Sequence, residues 1–149
     1  YPNALLVLAN ANGDYEMEIK KELKQLPCGS YNIISFENDI FTLYKLFDVF
    51  VHVPISPSVE AFGQTYVEAL AAGIPSVFTL SGIAHEFIVN EKNALVVPYK
   101  NSEAIYTACL NLLTNVILRN KLIEQGKNDV ASKFELQAMI TKLEDLYHG

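Results

Sequence analysis

Two carboxylates, Glu60 and Glu68, stand eight positions apart in SPSVEAFGQTYVEALAAG, residues 56–73. Between them lies Gly63-Gln64-Thr65, a glycine and a polar step at the start of a helical pattern. The first N–H groups of a helix have no internal partners, and that end carries partial positive charge. A glycine there lets a phosphate approach the backbone, and Thr65 adds a hydroxyl donor. The same step also reads as an ordinary helix start with a turn glycine. It matches neither G-x-G-x-x-G nor G-x-x-x-x-G-K-[ST]. Glu68 is the only charge in YVEALAAG, and its same-face neighbours Gln64, Thr65, Ala71 and Ala72 include no base. A carboxylate in a mostly buried helix needs donors, because stranding it costs several kcal/mol or shifts its pKa. The donors come from a distant lysine, from solvent or from a ligand; vicinal hydroxyls such as those of a ribose would satisfy both oxygens.

Other reactive types are less suggestive. His52 lies inside an apolar run and reads as a satisfied core histidine, whereas His85 follows the Ser81-Gly82 step. Ser56 and Ser58 have no histidine at a spacing useful for a nucleophile. A hydrolytic acid/base reading of Glu60 and Glu68 is disfavoured, because one sits in a loop and the other in a helix, so their separation is not set. No Cys/His cluster has metal-ligand spacing.

The elements that must position these residues alternate. Short apolar runs at 4–9, 31–36, 48–53, 75–80 and 94–97 read as buried strands. Residues 15–26 carry Met17, Ile19, Leu23 and Leu26 among charges, as an amphipathic helix does. Asp39 reads as the N-cap of a short helix reaching Phe47. In the motif helix, Val67, Leu70 and Ala71 make the core face, and Gly73 then Pro75 end it. Residues 83–89 read as a short helix. A helix starting at Asn101 or Ser102 breaks near Asn115, a second follows, weakened by Gly126, and a third carries the stripe Leu136, Met139, Ile140, Leu143, Leu146 and Tyr147. These stripes read as core. Strands alternating with helices predict an α/β, three-layer Rossmann-like sandwich with a five- or six-stranded parallel sheet and a helical C-terminal third. Ligands of such sheets bind beyond the carboxyl ends of the strands, where residues 54–63 fall.

With these residues in place, the segment 58–63 followed by Glu68-Ala69-Leu70-Ala71-Ala72-Gly73-Ile74-Pro75 resembles the E-x7-E signature of family 4 glycosyltransferases, the glycosyl transferases group 1. Ser81-Gly82 with Glu86, residues 93–98 and residues 48–51 resemble the family's glycine loop, its next strand and the strand before the motif. The resemblance implies a retaining enzyme of the GT-B fold, of which this chain is the C-terminal, donor-binding half. It implies that Glu68 holds the ribose of a nucleotide-sugar donor and that Glu60, the catalytic-site glutamate, contacts hydroxyls of the transferred sugar. It also places Phe62 and Gly63 against that sugar, and Gln64 and Thr65 against the diphosphate. Ser81 and Gly82 would add amides near the phosphates, and Phe36 and Glu37 would border the base. The donor is a substrate, and neither a cofactor nor a metal is implied. Two departures stand out: the family's Arg and Lys for the diphosphate, and its N-terminal acceptor domain, are absent from these residues. The chain is therefore expected to be one 149-residue domain of a longer protein, inactive alone. Ala61 replaces a frequent glycine, and Asn10-Ala11-Asn12-Gly13 stands where a glycine-containing loop is usual. The alternatives are a GT-B-like nucleotide-sugar epimerase domain and a flavodoxin-like binding module without sugar chemistry.

Composition narrows the partners. Half of the residues are hydrophobic, enough to build one core. A net charge of −6 argues against a nucleic-acid backbone as partner. Cys28 and Cys109 are far apart, and a buried free thiol at Cys109 agrees with a reducing, cytoplasmic setting. No run approaches the ~18 apolar residues of a membrane span, so peripheral membrane association is expected only through the missing half.

Overall fold

The computed structural model of the chain describes residues 1, 3–9 and 12–148. It divides into two compact units, Tyr1–Ile40 and Phe41–Gly149. In the first, β1 (Leu6–Ala9) pairs in parallel with β2 (Tyr31–Ile34), Leu6 opposite Tyr31 and Ala9 opposite Ile34. The crossover carries α1 (Glu16–Leu23), whose buried residue is Leu23. Both apolar faces are more open than their periods suggest: Leu5, Leu6, Met17 and Leu26 are exposed. Hydrophobic period identifies residues that share a face, but not whether anything covers that face.

The second unit contains the rest of α2 (Ile40–Tyr44), then β3 (Phe50–His52), α3 (Gln64–Ala72), β4 (Ser76–Phe78), a 3-10 turn (Gly82–Glu86) and β5 (Leu95–Val96). The order β3-β4-β5 is parallel throughout, with His52 opposite Phe78 and Val77 opposite Leu95. All five expected strands are present among the described residues, as ladders of two and three strands rather than one of five or six. Strand alternation splits the two faces of the three-stranded ladder. Val77, Leu95 and Val97 pack with Ala108, Leu112 and Leu122 of α4 (Ser102–Thr114) and α5 (Val116–Lys133). Phe50, His52 and Phe78 meet the rings of Tyr44 and Tyr66.

The caps explain the helix boundaries. Asn115 ends α4 and starts α5, its Oδ1 accepting from the Leu118 N–H at 3.0 Å. Asn101 does the same for Ala104 at 2.9 Å. Gly126, which the sequence marks as a weakness of α5, is buried where α5 crosses α3: a Cβ there would lie 2.9 Å from Leu70 Cδ2. It trades helix propensity for close packing. The last helix, α6 (Leu136–His148), has no buried residue; Leu136, Met139, Leu143, Leu146 and Tyr147 are exposed, so that stripe is not core in this chain.

Candidate functional site

The loops that follow β3 and β4 leave neighbouring parallel strands at their carboxyl ends and are tied together there. The Thr79 hydroxyl donates to the Pro54 carbonyl at 2.6 Å. The Glu60 N–H donates to Ser81 Oγ at 2.9 Å, and the Gly82 N–H to the Pro57 carbonyl at 3.0 Å. Tyr99, just beyond β5, donates its hydroxyl to the Leu80 carbonyl. Gly82 has φ +59°, and a Cβ would stand 2.5 Å from the Ala61 carbonyl oxygen, so only glycine lets the second loop press on the first. Ser81 and Gly82 thus hold the Glu60 segment in place: the Ser81 side chain is fully buried and the Gly82 amide is engaged by Pro57.

Gly63 begins α3 at φ +73°, and a Cβ there would lie 2.7 Å from the Tyr66 ring. No side chain caps α3, and its first turn has no acidic residue. The first amides, at Gln64 and Thr65, therefore keep their unscreened positive end. The buried face of α3 is Tyr66, Ala69 and Leu70, one position earlier than the Val67, Leu70, Ala71 face expected. Tyr66 makes the difference: its hydroxyl donates to the Thr79 carbonyl at 2.7 Å, so the whole ring enters the core without stranding a polar atom. Burial pushes its phenol up to about 12.

Glu68, half-buried, meets the Tyr44 hydroxyl at 3.2 Å, and no lysine among the described residues is paired with it. Burial first, and Glu68 second, raise the Tyr44 phenol, which keeps it a donor at any ordinary pH. Glu60 is half-buried, with Oε1 3.4 Å from His52 Nε2. That nitrogen is buried and has no hydrogen-bond partner among the described residues, contrary to the reading of His52 as a satisfied core histidine. Burial lowers the His52 pKa, partly opposed by Glu60. Phe62 is 47% exposed and its ring meets Phe134 edge-on. Phe36 and Glu37 belong to the first unit, both exposed, with the Glu37 carboxylate accepting from the Asp39 N–H at 2.9 Å. His85 is exposed, and Asn10 and Ala11 lie outside the described residues. Tyr44 and His52 are the residues that sequence reasoning missed as partners of the two glutamates. Tyr44 lies 24 positions from Glu68, and no spacing rule links them; His52 looked like any apolar-run residue.

The fold and this edge define an α/β domain of the Rossmann-like class, with an acidic residue before and another within an uncapped helix. Comparison with known proteins takes the class further. The chain belongs to the glycosyl transferases group 1, whose family model matches residues 1–129. It is similar to the uncharacterized glycosyltransferase MJ1607 of Methanocaldococcus jannaschii, 33% identical over 106 residues, covering 70% of this chain and 26% of that protein. It is also similar to the capsular polysaccharide biosynthesis glycosyltransferase CapM of Staphylococcus aureus, 27% identical over 116 residues, covering 78% and 30%. Among solved structures, Anabaena Alr3699/HepE in complex with UDP-glucose superposes with a TM-score of 0.87 at 18% identity, over 99% of this chain and 42% of that one. The C-terminal domain of LpcC, a group 1 glycosyl transferase of Francisella tularensis, gives 0.70 at 28% identity, over 83% and 64%. The chain thus spans less than a third of the length of those curated relatives.

Proposed function

We propose that this domain binds the nucleotide-sugar donor of a retaining glycosyltransferase acting on a saccharide or lipid-linked acceptor. The observation that carries the reading is the placement of Glu60 and Glu68 on either side of the uncapped amino end of α3, at the carboxyl edge of parallel strands. Glu68 accepts from the ribose hydroxyls, Tyr44 holding one of its oxygens from the protein side. Glu60, Phe62 and Gly63 border the sugar, and the amides of Gln64 and Thr65 face the diphosphate. As the bond from the anomeric carbon to the diphosphate breaks, its electron pair stays on the leaving group. Helix amides already aimed at that position stabilise the growing charge without reorganising and without a metal. On this reading the acceptor-binding domain and the basic pair that completes diphosphate binding belong to other parts of a longer protein, and these residues supply the donor site. The relative crystallised with UDP-glucose supports a nucleotide-sugar ligand for the fold. No described helix is long and apolar enough to cross a membrane.

Thermal unfolding with a panel of UDP, GDP, ADP and their sugars tests this. A ligand at a hundredfold excess over Kd adds about 2.7 kcal/mol to native stability and raises Tm by several degrees. One nucleotide series should shift the wild type, and Glu68→Ala should abolish the shift. A panel without any shift, or an undiminished shift in Glu68→Ala, refutes the proposal.

A further inference from the structure

We propose that His52 is a positioning residue for Glu60, its Nε2–H turning the carboxylate toward the transferred sugar. This rests on the reading of Glu60 as a sugar contact. Three observations converge on it. His52 Nε2 is buried and unpartnered, yet stands 3.4 Å from Glu60 Oε1. Its ring is held by the Tyr66 ring edge at 4.8 Å and 79°, and by the near-parallel Phe50 ring at 6.4 Å. The Glu60 backbone is itself fixed by Ser81, and its loop by Pro57 and Pro54 through Gly82 and Thr79.

With ring and backbone both fixed, the Glu60 side chain is the part free to close the remaining gap. A buried N–H without an acceptor is costly, and a valine would fill this strand position without that cost. The cost is recovered when the carboxylate accepts from Nε2 with one oxygen and keeps the other for a sugar hydroxyl. Among the described residues, the titratable groups facing the ring are Glu60 from the loop and Tyr66 from α3; across the ladder its neighbour is Phe78, which carries no charge. Burial keeps the imidazole neutral at pH 7, so the contact is an N–H donor on a carboxylate rather than an ion pair.

The first test needs no ligand. Imidazole nitrogen NMR of the whole chain should find His52 neutral as the Nε2–H tautomer and titrating below the ordinary histidine range. Glu60→Gln removes the carboxylate that favours the charged ring, so the His52 pKa should fall further. A protonated Nδ1 in the neutral ring, or a His52 pKa indifferent to Glu60→Gln, overturns the proposal. The second test compares UDP with UDP-glucose, GDP with GDP-mannose, and ADP with ADP-glucose, by calorimetry. His52→Phe keeps the ring contacts but loses the donor; it should erase roughly tenfold of the extra affinity that the sugar confers, the worth of one hydrogen bond to a charged group, and leave the bare nucleotide unchanged. His52→Gln, with an amide N–H in reach of the same carboxylate, should restore most of it. Equal losses for nucleotide and nucleotide sugar, or no rescue by glutamine, contradict the role. If the wild type binds none of these ligands, the donor-binding reading fails, and the NMR arm still decides whether His52 and Glu60 are coupled.

Discussion

Glu68 accepts from the Tyr44 hydroxyl and has no ion-pair partner among the described residues, so its charge is only partly answered there. Half of this was legible in the sequence. The neighbours of Glu68 on α3 include no base, which said that its partner must be distant or bound. That the distant partner is a neutral phenol was not legible, because no local spacing connects residues 44 and 68. Tyr44→Phe should lower nucleotide affinity roughly threefold to tenfold and cost about 1 kcal/mol of stability, read by calorimetry and urea unfolding. Tyr66 supplies a second test at this scale. Its folded pKa, about 12, lies above the ordinary tyrosine value of 10. The unfolded chain therefore loses its proton first, and stability present below pH 10 falls as pH rises toward 12, by about 2–3 kcal/mol at most. The Tyr44 shift has the same sign. Urea midpoints between pH 9 and 11.5 should fall in the wild type and fall less steeply in Tyr66→Phe. An unchanged slope would show that the phenol is not held as described.

The elements around the site owe their positions to glycine and to buried hydroxyls more than to hydrophobic period. The period found α3, but placed its buried face one residue late, since it counts a tyrosine as polar or apolar without asking where its hydroxyl ends. Ser81 and Gly82 were legible only as resembling a ligand loop; their contacts make them a brace for Glu60. Gly82→Ala would set a Cβ 2.5 Å from the Ala61 carbonyl oxygen and 2.9 Å from that of Glu60, both backbone atoms, at a φ that alanine resists. The loop must then move, with a cost of roughly 2 kcal/mol and a loss of sugar-dependent donor affinity. Gly29→Ala is the control: φ is +80° there too, but no atom lies within 4 Å, so it should destabilise less and leave donor affinity intact. Equal effects of the two substitutions on affinity would remove the brace from the account.

At the scale of the molecule, alternation named all five strands and their parallel sense, because extended and helical segments leave different periods in sequence. It did not say which strands share a ladder, which depends on contacts between segments far apart in the chain. Nor could it say what lies over the α6 stripe, which remains open among the described residues. On the proposed reading, Glu68 and the amino end of α3 hold one ligand between them. A crystal structure of this chain with its preferred nucleoside diphosphate tests that most directly. The ribose hydroxyls should lie on the Glu68 carboxylate and the diphosphate against the Gln64 and Thr65 amides. A nucleotide seated away from α3, or a Glu68 carboxylate turned from it, would contradict the account.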